Sequence, residues 1–70
     1  KTIDLIQLAA AAAVQSEGSV HSHTRRALQA GVTQEEIYHT LILLISILGF
    51  PRVSAAISWS RDVIDKEDRK

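Results

Sequence analysis

Thr33-Gln34-Glu35-Glu36-Ile37-Tyr38-His39-Thr40-Leu41-Ile42-Leu43-Leu44-Ile45-Ser46-Ile47-Leu48 is the stretch that decides the fold. It opens with a threonine followed three residues later by a glutamate, the reciprocal capping pattern of a helix N-terminus. Ile37, Leu41, Leu44, Ile45 and Leu48 then make one broad stripe at helical spacing, and Ile42, Leu43 and Ile47 carry hydrophobicity around much of the circumference. A helix that is apolar on several faces is buried on several sides. In so short a chain, that predicts a core shared between subunits as well as one within the chain.

Working outward, Gly49-Phe50-Pro51 stops this helix and starts another, because glycine supplies turn freedom and proline suits a first helical turn. Val53, Ala56, Ile57, Trp59, Ser60, Val63 and Ile64 form the broad face of that last helix, and Asp65 to Lys70 is a mixed-charge helix end or tail. Upstream, Gly31 is the expected C′ residue of a helix ending near Ala30, with Val20, His23, Ala27 and Ala30 on one face and Arg25 and Arg26 at the sides or outside. Its start falls at Gln15-Ser16, with Ser16 as N-cap and Ser19 at the third helical position, or at Gly18. The first helix begins at Thr2, read as its N-cap, with Asp4 in the first turn and the run Ala9 to Ala13 allowing close approach of a neighbour. The prediction is a single all-α domain over residues 1–70, four helical segments in a compact antiparallel arrangement.

Composition narrows the function. Eight basic and eight acidic residues cancel, which gives no electrostatic case for nucleic acid or an anionic membrane. No apolar run approaches the roughly 20 residues of a spanning helix, and the alanine run lacks the flanks of a signal peptide. A soluble, cytoplasmic protein is expected. With no cysteine there is no disulfide, thiolate ligand or thiol nucleophile. A domain of 70 residues buries only roughly 60% of its unfolded surface, so homo-oligomerisation is the expected supplement to its core.

The chemistry-bearing side chains gather in Gln15-Ser16-Glu17-Gly18-Ser19-Val20-His21-Ser22-His23-Thr24-Arg25-Arg26. His23 is the first choice for proton transfer, since an imidazole accepts and returns a proton near neutral pH. Asp4 would fix its tautomer if the first helix brings it close. His21 lies two positions away and faces another side of an ideal helix. Ser16 reads first as a cap, and Ser19 as a cap, a packing group or a partner of His23. Arg25 and Arg26 suit a carboxylate, or simply solvent or a neighbouring subunit. His21, His23 and Asp4 fall short of a zinc pattern, so neither metal nor cofactor is expected. His39 reads as a solvent or interface residue, and Tyr38 and Trp59 as packing groups.

Asp4-Leu5-Ile6 before an alanine-rich helix, His23-Thr24-Arg25-Arg26-Ala27-Leu28-Gln29-Ala30-Gly31, Thr33-Gln34-Glu35-Glu36-Ile37, and Gly49-Phe50-Pro51 leading to Ala55-Ala56 together resemble the carboxymuconolactone decarboxylase and alkylhydroperoxidase D superfamily over roughly residues 1–64. The resemblance implies an alkylhydroperoxidase D-like fold whose helices assemble across subunits, as a trimer or hexamer. In the thiol-active branch a first-helix carboxylate, two cysteines separated by two residues, and a histidine four residues on form a peroxide-reducing relay. Those positions fall on Asp4, Ser16, Ser19 and His23. Serine has no counterpart to the sulfenic acid and disulfide states of cysteine, so cysteine-dependent peroxidase activity is expected to be absent. The decarboxylase branch needs no cysteine pair. It acts on a small carboxylated lactone, which makes His23, Arg25, Arg26 and His21 relevant.

Three functions follow as expectations: proton transfer through His23 on a small organic carboxylate or lactone; a serine-substituted or degenerate thiol peroxidase; and a noncatalytic oligomeric helical module.

Overall fold

The computed structural model describes residues 1–68 and is all-helical there. The elements are α1 (Thr2–Ala13), α2 (Glu17–Gln29), α3 (Gln34–Leu43), α4 (Ile45–Leu48) and α5 (Phe50–Asp68). Of the charged tail, Asp65 to Asp68 continue α5, while Arg69 and Lys70 lie outside the described residues. None of the described helices is long and apolar enough to cross a membrane.

Apart from Thr2, the expected starts and stops form as their chemistry dictates. Of the two breaks open after α1, the chain takes Gln15-Ser16. The Gln15 N–H donates to the Ala12 carbonyl (3.0 Å) and the Ser16 N–H to that of Ala11 (3.2 Å), the paired bonds of a Schellman ending. The C′ residue is Gln15, at φ 56°. Ser16 is extended and caps α2, its Oγ accepting from the Ser19 N–H. The same ending recurs at Gly31 (φ 92°), with Val32 N–H to Ala27 O at 3.0 Å and Gly31 N–H to Leu28 O at 3.1 Å. Thr33 then caps α3. Its Oγ1 accepts from the Glu36 N–H (3.1 Å), and Glu36 Oε1 accepts from the Thr33 N–H (2.8 Å). Val32 and Ile37, flanking this box, both join the buried core, the placement of a hydrophobic staple.

Three expectations are corrected. Thr2 is not a cap: it lies inside α1, because the Leu5 N–H already bonds the Lys1 carbonyl, and no side chain caps that end. The helix expected through Leu48 is broken at Leu44, giving five helices instead of four among the described residues. There the bonds tighten to i→i+3, Leu44 N–H to Leu41 O and Ile47 N–H to Leu44 O, both 3.0 Å, and Ser46 Oγ turns back onto the Leu43 carbonyl. Crowded β-branched residues and a competing hydroxyl favour such a break. Finally, the buried face of α2 is Val20, Thr24 and Ala27, not the line through His23 and Ala30. Thr24 enters the core because its Oγ1 meets Ser60 Oγ at 2.8 Å, so neither buried hydroxyl is left unsatisfied.

Leu8, Val20, Ile37, Leu41 and Val53 are the large side chains fully enclosed between the helices, with Ala11, Ala12, Ala27 and Ala56 filling the close approaches. Trp59 and Tyr38 pack against this core from its edge. The radius of gyration is 10.7 Å, against roughly 11 Å for a folded chain of this length. The apolar side chains still exposed are therefore not a sign of loose packing.

Gly49 sits at φ 88°, ψ 154° between α4 and α5 with open space around it, a conformation that costs other residues about 1–3 kcal/mol. Gly49→Ala should destabilise by that amount in chemical denaturation. Gly18→Ala, inside α2 and equally uncrowded, should instead stabilise by about 0.4–1 kcal/mol.

The Thr33 N–H holds the Glu36 carboxyl below its ordinary 4.5, with the Lys1 ammonium, 3.7 Å away, helping and desolvation opposing. A carboxyl depressed on folding adds stability that is full above pH 4.5 and is lost as pH falls through the folded value. Glu36→Gln should thus be less stable than the parent at pH 7, and the difference should shrink as the pH falls below 4.5 and the Glu36 carboxyl protonates. Thr33→Ala should cost about 1 kcal/mol at pH 7.

Candidate functional site

Two hollows divide the chemistry-bearing residues. The first, about 310 Å³, lies between α1 and α2 and is lined by Gln7, Ala10 and Ala11 from α1, by Val14 just past its end, and by Ser19 and His23 from α2. Ser19 and His23 stand one helical turn apart, and so on one face. Ser16, one turn before Ser19, spends its Oγ on the Ser19 N–H at 3.4 Å. His23 is half-buried, and its Nδ1 is shielded from solvent with no hydrogen-bond partner among the described residues. Buried polar atoms are normally satisfied, so a lone imidazole nitrogen beside a hollow is a group with capacity to spare.

The second hollow, also about 310 Å³, lies between α2 and α5. His21 and Arg25 line it from α2, and Asp62, Val63, Asp65 and Lys66 from α5. His21 Nε2 stands 3.7 Å from Asp62 Oδ2, beyond hydrogen-bond length. Positive and negative side chains are mixed here, so the hollow does not select strongly for one sign of ligand.

The expected site residues are therefore not gathered into one place within a single chain. Ser19 and His23 come together, with Ser16 adjoining them as the cap. Arg25 and His21 belong to the other hollow, and Arg26 is exposed and lines neither. Asp4 is half-buried on α1, 3.6 Å from the Lys1 α-ammonium, and no hydrogen bond or ion pair among the described residues joins it to His23. Nor does any group of three or more His, Asp or Glu side chains among those residues stand where it could hold a metal ion.

Two participants escape a reading of the sequence. Gln7 brings an amide to the His23 hollow, and only the register of α1 against α2 places it there. Asp62 meets His21 through the pairing of α2 with α5, 41 positions apart in sequence, which no local pattern encodes.

The chain belongs to the carboxymuconolactone decarboxylase family, whose model it matches over residues 1–62, and it is a member without cysteine. No match was found among curated proteins or among solved structures.

Proposed function

We propose that this protein is a cysteine-free carboxymuconolactone decarboxylase-family enzyme, working as a homo-oligomer, in which His23 exchanges a proton with a small organic carboxylate or lactone held in the α1–α2 hollow. The observation that carries the reading is the buried, unpartnered Nδ1 of His23 beside that hollow. An imidazole with no internal partner is free to take a proton from a substrate and return it. The small side chains of Ala10 and Ala11 leave room on the α1 wall, and the Gln7 amide and Ser19 hydroxyl offer polar contacts for orienting a substrate. Arg25 and Arg26 of the same chain lie elsewhere, so their substrate-binding role, with that of His21, falls to a neighbouring copy. Asp4 does not line that hollow, which leaves it the weakest of the expected catalytic residues.

A second reading draws on the position of the serines. Ser16 is the N-cap of α2 and Ser19 its third helical residue, where the positive end of the helix would favour a thiolate. On this reading the fold is that of an alkylhydroperoxidase D-like scaffold with oxygen in place of sulfur, and it reduces no peroxide as it stands.

The two readings separate in the test tube. With a carboxylated muconolactone as substrate, followed by loss of its ultraviolet absorbance and by CO₂ release, His23→Ala should lower turnover by about 10²–10⁴-fold with helicity and oligomeric mass unchanged. Turnover that survives His23→Ala would sink the proton-transfer mechanism, and absence of turnover in the parent across such lactones would favour a noncatalytic module. Ser16→Cys/Ser19→Cys should form a disulfide at the head of α2 and gain peroxide reduction driven by a dithiol. A folded, oxidisable double variant without that activity would eliminate the latent-relay reading.

A further inference from the structure

We infer that this protein also hydrolyses small uncharged esters and lactones through a covalent acyl intermediate on Ser19, with His23 as the base that takes the serine proton. The inference rests on reading the α1–α2 hollow as the functional site, and it adds to proton exchange a second reaction with its own product.

The hydroxyls of the chain are spent unevenly. Ser16 Oγ accepts from the Ser19 N–H, and Thr33 Oγ1 from the Glu36 N–H. Thr24 and Ser60 hold each other in the core. Thr40 donates to the Glu36 carbonyl and Ser46 to that of Leu43. Ser19 gives its backbone N–H to the cap, but its Oγ enters no hydrogen bond among the described residues, and it is the hydroxyl that lines the α1–α2 hollow.

The buried Nδ1 of His23 likewise has no partner among those residues. Ser19 and His23 stand at i and i+4 on α2, where Cβ atoms are roughly 5–6 Å apart. Nδ1 is the ring nitrogen nearer the backbone, so it, and not Nε2, reaches back across that gap once the serine side chain turns toward it. In a neutral imidazole with its proton on Nε2, Nδ1 can only accept, and the Ser19 hydroxyl is a donor on the same wall. Such nucleophile–base bonds are often looser before substrate arrives.

The remaining walls fit an ester. Gln7, Ala10, Ala11 and Val14 bring no fixed charge, so what is held against Ser19 is an uncharged carbonyl. The exposed Gln7 amide offers an N–H to the carbonyl oxygen as it becomes negative. About 310 Å³ is at the lower end of ligand pockets, which limits the guest to a small ester or a single lactone ring.

The chemistry balances with water as the second reactant. Ser19 Oγ bonds to the carbonyl carbon as its proton passes to His23 Nδ1, and the carbonyl π pair moves onto oxygen. When the C=O re-forms, the bond from that carbon to the alkoxy or ring oxygen breaks, and this oxygen takes the proton from His23. Water then bonds to the acyl carbon while giving a proton to His23, and Ser19 Oγ leaves and takes that proton back. An ester yields an acid and an alcohol, and a lactone yields one hydroxy acid.

A fluorophosphonate and p-nitrophenyl acetate, neither of which can be decarboxylated, test this on the parent protein. Peptide mass mapping after brief exposure should place the phosphonyl or acetyl group on Ser19, a result that needs no variant to fold. His23→Ala should slow that labelling by about 10²-fold or more, and Ser19→Ala should lose the release of p-nitrophenolate. Ser22→Ala, which alters a hydroxyl on α2 that lines neither hollow, should behave as the parent. Label on other side chains with Ser19 clean overturns the inference, as does p-nitrophenolate release that survives Ser19→Ala, or labelling of Ser19 at full rate in His23→Ala. Release of CO₂ from a carboxylated lactone by a chain whose Ser19 is never acylated overturns this inference and leaves the proton-transfer reading standing; acylated Ser19 without that release does the reverse.

Discussion

The left-handed turn at Gln15 governs how α1 lies against α2, and the hollow beside His23 exists because of that angle. A residue with a Cβ is held at φ 56° there, a conformation that costs about 1–2 kcal/mol in side chains other than glycine. The surrounding bonds offset the cost. Gln15 Nε2 donates to the Ala12 carbonyl at 2.8 Å and to the Arg52 carbonyl at 3.2 Å, tying the end of α1 both to itself and to the first turns of α5. Glycine would relieve the backbone but would lose both ties. The turn thus acts as a three-way joint between α1, α2 and α5, with Ser16 leaving it to cap α2 in the next residue.

From that joint, the rotation of α2 about its axis is set by the bond between Thr24 and Ser60. Two hydroxyls enclosed in an apolar core must face each other, since leaving either unpaired costs about 1–3 kcal/mol. Once Thr24 faces α5, His23 and His21 are carried to different flanks, being two residues and roughly 200° apart on the helix. One meets α1 and the other α5. Two imidazoles close in sequence are thereby assigned to separate hollows, and Arg25 follows His21. A constellation that looks like one site in a linear stretch becomes two through a single buried hydrogen bond.

This explains which parts of the molecule were legible in the sequence. The capping box at Thr33, the glycine at Gly31 and the proline in the first turn of α5 are local devices whose partners lie within a few residues, and they formed as read. Ser16 as a cap was legible for the same reason. The break at Leu44 was not, because a run of leucine and isoleucine interrupted only by Ser46 reads as continuous helix and the Ser46 back-bond is a weak competitor. The rotation of α2 is not encoded locally: Thr24 looks polar, and only Ser60, 36 residues away, makes it a core residue. Gln7 gives no local signal, because an isolated glutamine on an alanine-rich helix carries no pattern. Proton-transfer candidates can be named from residue type; their assembly depends on inter-helix register, which is a property of packing.

If Ser16 and Ser19 occupy the positions that carry sulfur in thiol-active relatives, the head of α2 would serve oxygen and sulfur differently. A helix N-cap needs a small acceptor that reaches the N–H of the third residue, and serine is among the best, contributing about 1 kcal/mol over alanine. Ser16 does this work through the Ser19 N–H. A thiol at the same place would be a poorer acceptor but a readily ionised nucleophile, drawn toward its thiolate by the same exposed N–H groups. The positive end of α2 is thus a common resource that stabilises the fold through a hydroxyl or activates a sulfur, and in this chain it serves the fold. His23, whose capacity for protons does not depend on sulfur, keeps its place beside the hollow either way. What the stretch retains is acid–base potential, and what it lacks is a means of storing two electrons.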